Sequence, residues 1–108
     1  MIGIYFKSGK SGKKLTAEYY QDGKRIKTIH FGQAGADDYT LTKDKEQRTR
    51  YRDRHEKDLK TENNKKGMGA GALSYWVLWG NSTSRQANMR AFARKYGFKL
   101  LSSPPKKK

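Results

Sequence analysis

Two glycine-containing motifs are the first candidates for phosphate chemistry. Gly9-Lys10-Ser11 matches the end of a phosphate-binding loop, but that motif has four residues between its glycines, whereas five separate Gly3 from Gly9. A β pattern also follows where a helix would have to begin. The alternating glycines at residues 67–71 lack a G-x-G-x-x-G fingerprint. We therefore expect a flexible, disordered cationic loop at residues 7–13. The small residues at 67–71 would either let two backbones pack closely or free the chain to enter the helix at Leu73.

The two histidines are the remaining candidates for catalysis. His30 falls on the apolar face of a predicted hairpin, and His55 falls on the apolar stripe of a predicted helix, which are packing positions. The chain has no cysteine, no His/Asp/Glu cluster with metal-ligand spacing and no G-x-S-x-G motif. The sequence therefore predicts a protein that is not an enzyme, with no metal, no cofactor and no small-molecule substrate.

Positive charge is the dominant feature of the composition. The 108 residues include 25 Lys and Arg against 10 Asp and Glu, a net charge of +15. Residues 67–108 contain no acid, so we expect their cations to form a surface that binds polyanions with steep salt dependence. An acidic protein surface, nucleic acid or an anionic membrane surface would each satisfy this charge. The predicted binding residues are Arg85, Arg90, Arg94, Lys95, Lys99, Lys106, Lys107 and Lys108.

A second basic stretch alternates arginine with other residues in the middle of the chain, at Arg48, Arg50, Arg52 and Arg54. On a helix these side chains would spread around most of the circumference. Neighbouring acids are spaced to pair with them at i±3 or i±4. Two interpretations stay open: a solvated helix that neutralises its own charges, or an adhesive surface for an acidic partner.

The first third of the sequence predicts antiparallel strands. Residues 14–20 and 25–31 alternate around Asp22-Gly23, a strong signal for a two-residue hairpin turn. With that turn, Leu15, Ala17 and Tyr19 would face His30, Thr28 and Ile26 on one side, and Glu18 would face Lys27 on the other. A lone hairpin is marginally stable in water, so residues 2–6 are expected to add a third strand.

The rest of the chain predicts helices. A charged helix over residues 43–59 would be capped by Thr40 or Thr42 and would carry a narrow apolar stripe of Tyr51, His55 and Leu59. Residues 73–79 predict a second, largely apolar helix. A third would start at a capping box of Thr83 and Gln86, run to Tyr96 and end at Gly97.

These elements predict one small α+β domain over residues 1–101: an N-terminal antiparallel three-stranded sheet, a charged helix and two short C-terminal helices. Residues 102–108 form a basic Pro/Lys tail that is expected to be disordered. The expected core residues are Leu73, Trp76, Val77, Trp79 and Phe92. Trp76 is expected to be almost fully buried against Phe92 and the Tyr19/Ile26 face of the hairpin.

Three blocks of the sequence together resemble a known family. They are Thr-Ile-His-Phe-Gly at residues 28–32, Arg-x-Arg-Tyr-x-x-Arg-His at residues 48–55, and a stretch from Gly71 to Ser84 that begins Gly-Ala-Leu-Ser and contains Leu-Trp, followed by Asn88, Phe92 and Tyr96. In this order they are similar to small basic proteins encoded by large double-stranded DNA viruses of the chlorella-virus and mimivirus kind. That family has no assigned catalytic activity. The resemblance implies a virus-encoded, virion-associated protein.

Charge and resemblance together predict a non-catalytic virion structural protein, either a minor capsid protein or an internal component. It would link capsid proteins to each other or to the virion contents. The alternative is a basic protein that binds and condenses nucleic acid without sequence preference. No secretory signal is visible, and no apolar run approaches the about 18 residues of a membrane span. We therefore expect it in the virion and, during assembly, inside the host cell.

Overall fold

The computed structural model describes residues 1–105, in which a four-stranded sheet packs against helices. Strands β1 (Gly3–Ser8), β2 (Lys13–Gln21) and β3 (Lys24–Gln33) are antiparallel neighbours. Strand β4 (Lys99–Leu101) pairs in parallel with β1, which gives the order β3-β2-β1-β4. The expected three-stranded N-terminal sheet is confirmed, and β4 is an addition that the sequence pattern does not predict.

Short helices make up most of the remaining chain, and the predicted α+β class is confirmed. Their bounds are α1 (Tyr39–Thr42), α2 (Lys45–His55), a 3₁₀ turn (Glu56–Lys60), α3 (Glu62–Lys65), α4 (Ala70–Leu73) continued by a π-helical turn (Ser74–Leu78), and α5 (Arg85–Tyr96). Within residues 1–105, no helix is long and apolar enough to cross a membrane.

Two predicted helix caps are wrong by a few residues. The Asp44 side chain accepts from the backbone N–H groups of Glu46 and Gln47, so this carboxylate, and neither Thr40 nor Thr42, caps α2. An acid suits this position because it also faces the positive end of the helix dipole. At α5 the cap is Ser84, one residue after the predicted Thr83.

The predicted two-residue turn at Asp22-Gly23 is confirmed, but the predicted pairing of β2 with β3 is wrong for the residues before Tyr20. Asp22 and Gly23 both adopt positive φ, as a type I′ turn requires. A bulge at Ile26 then shifts the pairing by one residue, so that Tyr19 lies opposite Lys27 rather than Ile26. Since side chains alternate between faces, this shift turns Ile29 and Phe31 toward the helices and Thr28 and His30 toward the opposite face.

The hydrophobic core lies between one face of the sheet and the helices. Leu73, Val77, Trp79 and Phe92 are buried, as predicted. Trp76 is only partly buried, which corrects the expectation of almost complete burial. Ile26 is 47% exposed, because the bulge removes it from the core face. Tyr19 is fully buried on the core face, as expected, and Phe6 packs edge-on against both Phe31 and Phe92.

The connection between β1 and β2 is a well-defined, hydrogen-bonded turn, which corrects the expected flexible loop. Lys7 belongs to β1 and Lys13 to β2. Between them, the Gly9 N–H donates to the Lys14 carbonyl at 2.9 Å, and Ser11 and Gly12 turn the chain with positive φ. A Cβ at Gly9 would overlap the Lys13 carbonyl, so only glycine fits there.

The C-terminal end of α5 leads directly into β4. Gly97 adopts a left-handed conformation, and its N–H and that of Phe98 bond back to carbonyls of the last helical turn. The Lys99 N–H then donates to the Ile2 carbonyl at 2.9 Å, which places the chain beside β1. The predicted stop at Gly97 is therefore confirmed. Of the predicted tail, residues 102–105 follow β4, and Lys106, Lys107 and Lys108 lie outside the described residues.

Candidate polyanion-binding surface

Arg85, a predicted binding residue, is used inside the fold. Its guanidinium donates to Asp38 Oδ2 at 3.1 Å and to Thr40 Oγ1 at 2.9 Å. Asp38 is fully buried, and it also accepts from the Lys14 ammonium group and caps α1. Burial by itself raises the pKa of Asp38, but hydrogen bonds from Lys14 and Thr40 and the charges of Lys14 and Arg85 outweigh it and hold the pKa below its ordinary value. Arg85 is therefore part of a buried ionic cluster rather than a free binding group.

The other predicted residues that the structure describes remain at the surface. Arg90 and Arg94 are exposed on α5, and Lys99 is exposed at the start of β4. The Lys95 ammonium lies 4.6 Å from the centre of the Trp76 ring, a cation–π contact. Lys106, Lys107 and Lys108, the rest of the predicted set, lie outside residues 1–105, so the structure says nothing of them.

The arginines of α2 do not neutralise themselves as one interpretation held. None of the ion pairs formed within residues 1–105 involves Arg48, Arg50, Arg52 or Arg54. Arg52 Nε instead donates to the Trp79 carbonyl at 2.9 Å, and Arg48 donates to the Gly80 and Asn81 carbonyls at 3.3 Å. Carbonyls at the end of a helix lack intrahelical partners, and here arginines from another helix supply the donors. Arg50 and Arg54 stay exposed.

An aromatic stack joins the same two segments. The Tyr51 ring lies nearly parallel to Trp79, with centroids 4.3 Å apart, and stacks on His55 at 4.2 Å with a tilt of 30°. Arg52 also lies 5.5 Å from the centre of the Trp76 ring. The predicted stripe on α2 is therefore used for packing. The structure thus brings Arg52 and Lys95, which lie far apart in the sequence, to the same tryptophan.

The expected pairing of Glu18 with Lys27 is wrong, because Glu18 lies opposite Thr28 and forms ion pairs with Lys7 and Arg25 in a charged cluster that sequence reasoning missed. This cluster lies on the solvent-facing side of the sheet. Glu18 is only 3% exposed there, and it accepts from Lys7 at 3.0 Å, Arg25 at 3.1 Å and Tyr20 at 2.9 Å. Burial raises the pKa of Glu18, but these hydrogen bonds outweigh burial and leave the pKa below its ordinary value. Thr16 is bonded to His30 Nδ1 at 2.7 Å on the same face. The alternation of Thr16 and Glu18 with apolar residues in β2 indicates a polar face of the sheet. The sequence does not reveal which β3 residues lie on that face, because the bulge changes the register.

Comparisons with known proteins add a partial match. Residues 6–55 match a family of unknown function (DUF5754), a range that runs from β1 to the end of α2. The match covers just under half of the chain. Neither the curated proteins nor the solved structures contain a match.

Proposed function

We propose that the protein is a non-catalytic basic structural component of a virus particle, either a minor capsid protein or an internal protein. It would link capsid proteins to each other or to the contents of the particle through its cationic surface. Its partners would be capsid or other virion proteins, with nucleic acid or an anionic membrane surface as the other anionic partners.

The observation that carries this proposal is how the three sequence blocks behind the viral resemblance are used. Gly32 of the first block lies against Leu78, and Tyr51 and Arg52 of the second contact Trp79 of the third. The blocks therefore pack against one another inside the fold, which leaves the exposed side chains to bind partners. The side chains left over at the surface are rich in cations such as Arg90 and Arg94, which suit binding by charge.

A second candidate is a protein that coats and condenses nucleic acid. The net charge of +15 favours it, because neutralising phosphates releases condensed counterions and drives binding to any sequence. The two candidates differ in location and stoichiometry. A capsid component would have a fixed copy number and symmetric positions, whereas a nucleic-acid coat would follow the amount of genome.

The test is mild, stepwise disruption of purified particles of the virus that encodes the protein. We expect the protein to stay with the shell fraction after the genome has been digested with nuclease. Release together with the genome would support the nucleic-acid coat instead. Absence from purified particles would overturn the virion role altogether.

A matched pair of variants tests whether the C-terminal cations mediate incorporation. Replacing Arg90 and Arg94 with glutamine removes two exposed charges on α5, and replacing Lys57 and Lys60 with glutamine removes two exposed charges in the 3₁₀ turn. We expect the first pair to reduce incorporation several-fold and the second to leave it near wild type, with equal thermal stability for both. Equal incorporation of the two variants would contradict a binding role for α5.

A further inference from the structure

The solvent-facing side of the sheet carries a concave polar surface that the virion role does not use. We call it the sheet-face cluster, and its main residues are Lys7, Lys10, Glu18, Arg25, Thr28 and His30. They come from all three antiparallel strands and from the β1–β2 turn. The helical part of the core packs against the other face of the sheet, where Ala17, Tyr19 and Phe31 are buried.

Glu18 organises the cations of this cluster. Lys7 on β1 and Arg25 on β3 reach the same carboxylate oxygen from opposite sides of β2. Their side chains nevertheless remain 47% and 57% exposed. One nitrogen of Arg25 is bonded to Glu18, and a guanidinium carries five N–H donors, so most of its donors face outward. The single acid of the cluster is thus neutralised, and the outward-facing charge is positive.

Two further polar side chains, His30 and Lys10, line the concavity. His30 Nδ1 is bonded to the fully buried Thr16, which holds the ring on this face of the sheet. Lys10 is positioned by the β1–β2 turn, whose geometry depends on Gly9 and Gly12. The Gly9-Lys10-Ser11 motif, which does not match a nucleotide-binding loop, therefore places Lys10 in the cluster.

We propose that the sheet-face cluster docks onto the phosphate backbone of nucleic acid. The surface is polar and cationic and has no apolar side chain among its main residues. Protein–nucleic acid interfaces have this character, whereas the centre of a protein–protein interface is depleted in charge and enriched in aromatic residues.

This inference rests on the polyanion-binding part of the proposed function and is independent of its virion location. Lys7 and Arg25 are unsuitable for a first test because removing either would weaken the bonding of a buried carboxylate. Lys10 has no such role, because none of the ion pairs within residues 1–105 includes it. Lys57 is the matched control, since it is an exposed lysine outside the concavity.

The experiment measures binding of the full chain to two 20-base-pair DNA duplexes of unrelated sequence, by fluorescence anisotropy between 50 and 200 mM salt. Each phosphate contact contributes about −0.9 to the slope of log K against log salt. We expect Lys10→Gln to make the slope shallower by about one, so that about 4-fold less affinity is lost over this range. Lys57→Gln should change the slope much less.

A gain-of-charge variant keeps the test valid if a loss variant is poorly folded. Thr28 is exposed in the cluster, and Thr28→Lys should steepen the slope by about one. Asn63→Lys adds the same charge at an exposed position of α3 and should steepen it much less. Equal changes from the paired variants would overturn the site while leaving general polyanion binding intact.

Two outcomes would overturn nucleic acid as the partner. One is the absence of duplex binding by the wild-type protein at 50 mM salt. The other is tighter binding to poly-glutamate than to DNA, with the same dependence on Lys10, which would assign the cluster to an acidic protein. The particle fractionation described above decides the virion role separately.

Discussion

Removing the carboxylate of Asp38 should destabilise the fold more than any other single charge change. This carboxylate is buried between β2, α1 and α5, and it binds Lys14, Arg85 and the first turn of α1. The Lys14 side chain is only 9% exposed. Asp38→Ala would therefore leave a buried ammonium group without its counter-ion and would also remove a helix cap.

The expected cost follows from those contacts. Breaking a buried ion pair by removing one partner typically costs about 3–5 kcal/mol, and a domain of this size is stable by about 5–15 kcal/mol. For about 100 residues, a loss of that size lowers the melting temperature by at least about 12 °C. Asp37→Ala is the matched control, because Asp37 is the exposed neighbour of Asp38 and should cost less than about 0.5 kcal/mol.

The same site predicts a pH dependence. The folded-state pKa of Asp38 lies below its ordinary value of 3.8, so the carboxylate stabilises the fold above that pH. This contribution is lost as the pH falls through the folded-state pKa. We expect the stability of the wild-type protein to fall between about pH 5 and pH 2, and that of Asp38→Asn to fall less steeply over the same range.

Urea denaturation followed by circular dichroism measures both effects. The midpoint should fall strongly in Asp38→Ala with an unchanged dependence on urea, which indicates a change in stability alone. A midpoint equal to that of Asp37→Ala would refute the ionic cluster as a major source of stability. Parallel pH profiles for the wild type and Asp38→Asn would refute the assignment of the acid-sensitive group.

Three further outcomes can be checked with the same melts. Phe92→Ala should cost about 3–5 kcal/mol of stability because the ring is buried. Trp76→Ala should cost about half as much because the indole is only partly buried. Equal costs for the two variants would contradict the assigned core. Asn88→Ala should cost about 2–4 kcal/mol of stability. The Asn88 amide nitrogen donates to the Val77 and Ser82 carbonyls, and the amide oxygen accepts from the Ser82 N–H. A cost below about 1 kcal/mol would refute the role of Asn88 in holding these carbonyls. Deleting residues 102–108, which follow β4, should leave the melting temperature near wild type while reducing incorporation into particles, and normal incorporation would argue against a tail that serves assembly.

Local signals were sufficient for most of the secondary structure. The turn at Asp22-Gly23 and the helix end at Gly97 depend on residues that tolerate positive φ, and such positions can be recognised from a few neighbouring residues. The bulge at Ile26 has no comparable signal. We attribute it to the free energy gained by burying Phe31. Without the bulge, the alternation of side chains along β3 would place Phe31 on the solvent-facing side of the sheet. Strand β4 has three residues and forms because β1 offers it a free edge, which the local sequence does not reveal.

The candidate binding residues were predictable only in part. Exposed cations such as Arg90 and Arg94 follow from helix spacing and the absence of nearby acids. The use of Arg85 to neutralise Asp38 could not be anticipated, because the two residues are 47 positions apart and meet only in the folded chain. The sheet-face cluster was missed for a related reason, since its membership depends on the register that the bulge sets.

The parallel pairing of β1 with β4 joins two segments that lie near opposite ends of the described residues. Residues 3–5 form their second set of pairings with residues 99–101, so β1 has an open edge until almost the whole described chain has left the ribosome. An open strand edge is a template for pairing with other chains, and closing such a long loop is slow. A chain that has not yet formed this pairing therefore exposes a strand edge that can pair with another copy. Any fragment that stops before Lys99 would retain that edge and is expected to self-associate rather than remain a monomer.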